Sequence, residues 1–373
     1  MITHARELHM RLGLFLNPGH NPSKPIADAV AWDLEAVRWA EELGYDEVWI
    51  GEHLTVPWES CPAPDLFIAQ ALRETTRIRI GPASLNLPLH HPALVAHRIA
   101  YLDHLSGGRL NLGIGASGTA TDWRLFGING AAGDHRRMLW EALDAVLRLW
   151  TDPEPYEWQG EFWTVNKPEP MFDGLMGFHV KPLQGPHPPI SVSGLSPESP
   201  TLRTCGARGF APLTLAFGLE YLAGQWASVV AGATSAGRVA DRDHWGIAWD
   251  VFVAETDEEA IRACLEGGLG AYLDRFWLPL VKQVGLVAMY KSDPGMSDSE
   301  VTAEYFLRHC ALVGSVDTVV DKITAAVDAT GGFGTLIQIG HDHAADPGPM
   351  RASMELLARE VIPRVNKRTD RKE

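Results

Sequence analysis

One stretch constrains the fold more than any other: Arg77 to Gly118, RIRIGPASLNLPLHHPALVAHRIAYLDHLSGGRLNLGIGASG. The apolar run from Ile78 to Asn86 predicts a strand that passes through Pro82, Ala83 and Ser84. Leu94, Val95, Ile99 and Leu102 form a stripe at helical spacing, and Gly107-Gly108 ends that helix. Leu110 to Ile114 then reads as a second strand. Strand, helix and strand so tightly joined predict a right-handed βαβ unit, hence parallel strands covered by helices. Both strands finish in small residues, Ala83-Ser84 and Gly115-Ala116-Ser117-Gly118, where a flat ligand would lie against the backbone.

The second of these ends contains G-x-G-x-x-G, Gly113 to Gly118. A dinucleotide fingerprint requires a tight turn straight into a helix and an acid about 20 residues on. Thr119 to Gly130 has no clean helical period, and this is not the first strand of the chain. Close packing against some other ligand is the better reading.

The same alternation runs along the chain. Strands are expected at Arg11–Leu16, Glu47–Gly51, Ile78–Asn86, Leu110–Ile114, Pro189–Ser193, Ala211–Leu215, Trp245–Ala254 and Thr335–Ile339. Helical stripes fall between most of them, for example Trp32, Ala36, Trp39, Ala40 and Leu43 within Ile26–Leu43, which Gly44 stops. Glu157–Trp163 resembles a small hairpin, and Asn166–Pro189 a long excursion over the active face. Gly267–Asp298 reads as irregular and dense in bulky residues. Eight parallel strands without a polar linker predict a (β/α)8 barrel with insertion loops at its C-terminal face, spanning 11–364, with tails at 1–10 and 365–373.

Composition narrows the function. A net charge of −15 argues against nucleic acid and anionic membrane surfaces. Cys61, Cys205, Cys264 and Cys310 form neither a metal spacing nor a disulfide framework, and no apolar run is long enough to span a membrane. A cytoplasmic protein with free thiols is expected.

In a barrel of this kind, the strand C-termini and the loops after them form the active face. His53 follows the second strand directly, in Gly51-Glu52-His53-Leu54. It reads either as a histidine bonded within its loop or as a proton shuttle. Ser193 to Ser199 lies between a strand end and a helix start, where backbone N–H groups and the helix dipole favour an anion. Arg136 and Arg137, opening a helix, are either solvated charges or phosphate ligands, and Arg109 reads as structural. His90-His91 and His341-Asp342-His343 lack metal-ligand spacing. Trp58, Trp123, Phe126, Phe172, Phe276 and Trp277 fall in loops that would cover the barrel mouth.

These segments carry a family likeness. GEHL after the second strand, IGPASLNLP, HPALVAHRIAYLDHLSGGRLNLGIGASG and PPISVSGLS resemble the bacterial luciferase-like flavin monooxygenases. Within that superfamily the chain is most similar to the diketocamphane, or type II Baeyer–Villiger, and limonene monooxygenase groups, through PWESCPAPDLF, GLSPESPTLR, GAYLDRFWLPL, ALVGSVDTVVDKI and ATGGFGTLIQIGHDHAADP. The resemblance implies a (β/α)8 barrel, usually dimeric, that takes reduced FMN from a separate flavin reductase. With O2 it would oxygenate a small apolar substrate, a terpenoid or cyclic ketone, through a flavin hydroperoxide. It implies that His53 is the active-site histidine and that Ala83-Ser84, with Gly115 and Ala116 alongside, form the flavin floor with a non-proline cis peptide. It further implies that Ser193, Gly194, Leu195 and Ser196 cradle the phosphate with help from Arg137, less securely Arg136. Ala116 stands where luciferase has a second phosphate arginine, and Leu54 where it has a second histidine. Two other readings stay open: a deazaflavin-dependent hydride-transfer enzyme of the same barrel, and a flavin-binding protein without turnover.

Overall fold

Local sequence explains most elements of the chain, seen here in a computed structural model that describes residues 9–343 and 345–369. Strand β1 (Arg11–Gly19) leads into α1 (Ile26–Leu43), which buries Trp32, Ala36, Trp39 and Ala40, and ends at Gly44 in the left-handed region. Then follow β2 (Glu47–Ile50), α2 (Pro64–Glu74), β3 (Arg79–Pro82), β4 (Leu85–Asn86), α3 (Pro92–Ser106) and β5 (Leu112–Gly115). The next elements are α4 (Ala120–Leu125), α5 (Asp134–Thr151), the hairpin β6 (Tyr156–Gln159) and β7 (Thr164–Lys167), β8 (Ile190–Ser193), α6 (Pro200–Arg208), β9 (Ala211–Leu215) and α7 (Leu219–Ser235). The last third contains β10 (Gly246–Trp249), β11 (Val251–Ala254), α8 (Asp257–Glu266), α9 (Gly268–Tyr272), α10 (Leu278–Gln283), α11 (Ala303–His309), β12 (Leu312–Ser315), α12 (Val316–Thr330), β13 (Thr335–His341), α13 (Gly348–Leu356) and α14 (Ile362–Thr369).

Nine strand segments lie in the order β3-β2-β1-β13-β10-β9-β8-β5-β4, and every pairing between them is parallel. β3 and β4 are two halves of the expected Ile78–Asn86 strand, interrupted at Ala83–Ser84. The bridge between Ile80 and Leu110, with β4 on β5, brings the two ends of the order together. The result is the expected (β/α)8 barrel. Phe15, Trp49, Ala83, Leu213, Leu215, Ala248, Ile337 and Ile339 cluster across its strands. The helices bury their stripes against the outside: Trp245, 1 % exposed, stacks on Trp226 of α7 and donates to Thr214 Oγ1 at 3.0 Å. A fully buried side chain of this class contributes roughly 1.5–3 kcal/mol or more.

Four sequence expectations change. The run Trp245–Ala254 is not one strand: it leaves the barrel at Asp250, and β11 pairs outside it with β12, a strand that its short Leu-Val-Gly-Ser sequence concealed. Gly267–Asp298 is largely helical, with a π turn at Leu273–Trp277 between α9 and α10. Its glycines and Pro279 read as breakers, but Trp277 keeps helical backbone angles and the chain runs from the π turn straight into α10, with Pro279 as its second residue. The second hairpin strand begins at Thr164, beyond the expected end at Trp163. The supposed tail from residue 365 is helix through Thr369, with Val365 and Asn366 buried. The Asn366 side chain accepts from Met10 N–H at 2.9 Å, so the ends of the described chain pack together.

Candidate active site

The C-terminal ends of β2, β3–β4, β5 and β8 meet in one backbone surface. The Ala83–Ser84 peptide is cis. A Cβ on Gly115 would overlap Ser84 Oγ and stand 2.7 Å from Ser84 Cβ, so the β5 end touches this peptide directly. Asn86 fastens the neighbouring loops: its N–H donates to Glu52 Oε2 (2.6 Å), its Nδ2 to Glu52 O (3.1 Å), and its Oδ1 accepts from Ser117 N–H (3.0 Å). Glu52, 1 % exposed, also holds His90 Nε2 at 2.6 Å. Ala116 packs half-buried against the core.

Across this surface lies the Ser193–Ser199 turn. A Cβ on Gly118 would meet Leu195 Cδ1 at 2.8 Å, which places the β5 loop against the turn. Gly194 has no room for a side chain, since a Cβ there would meet Ser199 Oγ at 2.5 Å and Leu202 Cγ at 2.7 Å. The carbonyls of the turn are tied backward: Gln225 Nε2 donates to Gly194 O (2.7 Å) and Ser196 O (3.2 Å), and Tyr221 Oη to Leu195 O (2.8 Å). Among the described residues, the N–H groups of Leu195 and Ser196 find no acceptor, while Gly194 follows the parallel register of Ser193 on Leu213. Ser199 caps α6, accepting from Leu202 N–H. Free donors at a helix start, with the carbonyls turned away, make a cradle for an anion.

Arg137 stands apart from the cradle. Its guanidinium pairs with Asp134 (2.5 Å) and Glu161 (2.6 Å) on the surface and lies over the Phe162 ring. Arg109 is structural, donating to Ile78 O at 2.7 Å and Thr75 O at 3.1 Å.

His53 lies beside the mouth. Its N–H donates to Cys61 O at 3.0 Å, and its Nε2 is 2.9 Å from Asn17 Oδ1 and 3.4 Å from Glu59 Oε2. Asn17 Nδ2 and Tyr272 Oη both donate to Glu59 Oε1, each at 2.6 Å. His53 Nδ1 is buried and has no partner. Burial, and then the Glu59 carboxylate, push the Tyr272 phenol well above its usual range, so it remains a donor. Tyr272 belongs to an aromatic wall: it packs edge-on to Phe276 (5.3 Å) and against Trp277 (6.3 Å), Trp58 stacks on Phe276 (6.2 Å), and Phe217 stacks on Trp277 (6.1 Å). The expected lid aromatics divide here. Trp58, Phe276 and Trp277 join the wall, whereas Trp123 stacks on His135 and Phe126 and Phe172 are exposed to solvent.

The other histidines form ion pairs and packing contacts instead of a metal site, and no metal-binding group of three is found among the described residues. His341 Nε2 bonds Asp250 at 2.6 Å, while His343, buried against Phe252, is driven down to about 4 by burial. Asp342 takes His20 Nδ1 at 2.8 Å and Lys24 Nζ at 2.6 Å, and His20 Nε2 reaches Asp33 at 3.1 Å. Sequence reasoning passed over Asn17 and His20, although both lie at the end of β1 where strand-end logic points. It passed over Glu59, Tyr272, Gln225 and Tyr221 because no local pattern marks them.

The family described as luciferase-like monooxygenase matches residues 10–332. The chain belongs to that family. It is 33% identical to the 3,6-diketocamphane 1,6-monooxygenase of Pseudomonas putida over 95% of this chain and 98% of that protein. To the limonene 1,2-monooxygenase of Rhodococcus erythropolis it is 32% identical, over 95% and 86%. The solved oxygenating constituent of 3,6-diketocamphane monooxygenase from Pseudomonas putida, a type II Baeyer–Villiger monooxygenase in complex with FMN, superposes with a TM-score of 0.90 at 33% identity. That match covers 96% of this chain and 99% of the other.

Proposed function

We propose that this luciferase-like monooxygenase is the oxygenating component of a two-component system that uses reduced FMN and O2 to oxygenate a compact apolar substrate, a cyclic ketone or terpenoid. The observation that carries the reading is the continuous surface from Ala83–Ser84 through Gly115–Gly118 to the Gly194–Ser196 turn, where the N–H groups of Leu195 and Ser196 are unpaired. Those residues suit FMN: the Ser193–Ser196 turn would hold its phosphate, and Ala83, Ser84, Gly115 and Ala116 its ring. Reduced flavin, when bound, supplies the electrons that activate O2. The chain's own part is to bind, to exclude water and to manage a proton. His53 Nδ1, buried and unpaired, supports assigning that proton exchange to this side chain. The wall of Trp58, Tyr272, Phe276 and Trp277 favours an apolar substrate. Arg137 would assist at the phosphate only by exchanging Asp134 and Glu161 for it.

The description of a relative as an oxygenating constituent supports a transient flavin reductase partner. Leu94, Tyr101 and Leu105, exposed on one side of α3, support a homodimer formed through that helix. The deciding experiment supplies NADH, a generic flavin reductase, 18O2 and a panel of bicyclic ketones and monoterpenes, with either FMN or a deazaflavin. One 18O atom in a lactone or epoxide, formed only with FMN, is expected. Turnover that needs the deazaflavin and incorporates no 18O would refute the proposal. FMN should also bind more tightly than riboflavin, and Arg137→Ala should narrow that gap no more than several-fold.

A further inference from the structure

The His53 side chain sits in a hydrogen-bond chain whose polarity can be read from its far end. Tyr272 Oη is a donor, and it gives its proton to Glu59 Oε1. Asn17 Nδ2 gives a second bond to the same oxygen, which turns Asn17 Oδ1 toward His53. That oxygen can only accept, so the proton between Asn17 and His53 belongs to Nε2. Glu59 Oε2, 3.4 Å from Nε2, adds a negative charge on the same side of the ring. Glu59 is 4 % exposed and Tyr272 8 %, so this charge is poorly screened. The ring's other nitrogen, Nδ1, is left with a lone pair, buried, and without a partner.

We propose that Glu59 is the positioning residue for His53: with Asn17 it fixes the Nε2–H tautomer, keeps the Nδ1 lone pair free, and stabilises the imidazolium formed when Nδ1 takes a proton. The proposal rests on His53 being the proton-exchanging group of the proposed reaction. Its chemistry is one proton transfer: the O–H bond of a reactant breaks, an N–H bond forms at Nδ1, and no electrons leave the pair. Tyr272 ties the device to the substrate wall. It holds Glu59 through its hydroxyl and packs on Phe276 and Trp277 through its ring.

The other charged or titratable groups around His53 are engaged elsewhere. Glu52, its neighbour in sequence, is turned to Asn86 and His90. Asp250 and His341 bond each other on the far side of Tyr272, whose ring is 5.4 Å from that of His341. Cys61 meets His53 through its backbone, and burial pushes its thiol up to about 12. Glu59 is therefore the anion on the Nε2 side of the ring.

The test compares wild type, Glu59→Gln and Glu59→Asp, without cofactor, by 15N NMR of histidine-labelled protein, with His53→Asn to assign the resonance. In wild type, His53 should show a protonated Nε2 and a pyridine-like Nδ1. Glu59→Gln keeps an oxygen for Asn17 and Tyr272 but faces Nε2 with an NH2 group. The tautomer should then shift toward Nδ1–H. Glu59→Asp should restore part of the Nε2–H form. With reduced FMN and substrate, Glu59→Gln should lower kcat about 10- to 100-fold with little change in KM. A His53 resonance with the same tautomer in all folded forms would overturn the proposal. A shifted resonance with unchanged kcat would uphold the pairing and instead remove His53 from the proposed reaction. Tyr272→Phe, which spares the carboxylate, should leave the tautomer intact, and a loss of the Nε2–H form there would assign the positioning to the lid and not to Glu59.

Discussion

The strongest stability prediction concerns His20. Its ring lies 6 % exposed between Asp33 and Asp342, with Lys24 on the same Asp342 oxygen. Burial by itself favours the neutral ring, but the bonds to Asp33 and Asp342 outweigh it and raise His20 from 6.5 to about 9. Burial raises the Asp33 carboxyl too, and His20 and Lys24 oppose that rise. A gap of roughly 2.5 pH units at 1.36 kcal/mol each is about 3 kcal/mol of stability from the charged form. That agrees with the ~3–5 kcal/mol usually lost when one member of a buried pair is removed. Because the folded value is raised, the contribution is complete below pH 6.5 and is lost as pH rises through 9. Urea unfolding of wild type and His20→Gln at pH 6, 8 and 10 reads this directly. The difference should be about 3 kcal/mol at pH 6 and should shrink steadily, leaving only packing and neutral hydrogen bonds at pH 10. A difference that is equal at pH 6 and pH 10, or that grows with pH, would refute the reasoning.

His53→Ala should keep FMN affinity but lose ~10²–10⁴ in product rate, with hydrogen peroxide appearing in place of product; simultaneous assay of product, peroxide and flavin absorbance checks it. Gly115→Ala places a Cβ against Ser84 and should cost about 1–3 kcal/mol while weakening FMN binding, as measured by thermal unfolding and fluorescence titration. For Glu41, burial disfavours the carboxylate, but N–H bonds from Ile78, Thr76 and Arg77 and the Thr76 hydroxyl hold it at about 2. The group is partly exposed, so Glu41→Gln should cost only about 1 kcal/mol at pH 7. That wild-type advantage should vanish as pH falls from 4.5 through 2, and an advantage that persists in acid would contradict the assignment.

Helical and strand periodicity was enough to order the barrel, since each outer helix must bury one stripe and each strand must be apolar along its length. Strand-end logic puts His53, Ala83–Ser84 and the Ser193–Ser196 turn on one face from the sequence. It failed where the pattern was interrupted. Gly267-Gly268, Gly270 and Pro279 hid a helix whose Tyr272, Phe276 and Trp277 form the mouth wall, because in isolation those residues disfavour helix. Phe126 and Phe172 were expected at the mouth as bulky loop residues, but loop position does not say which way a side chain turns.

The sequence by itself determined the alternation of elements, the parallel barrel and the identity of the strand-end residues, because these depend on local propensity and burial. Only the tertiary structure decided how those residues are held. Tyr272 reaches Glu59 across 213 positions, Asn17 reaches Glu59 across 42, and His20 reaches Asp342 across 322. Closing the barrel brings the ends of β1, β2 and β13 side by side. The polarity of their hydrogen bonds, and with it the free nitrogen of His53, is a property of that closure and of no single segment.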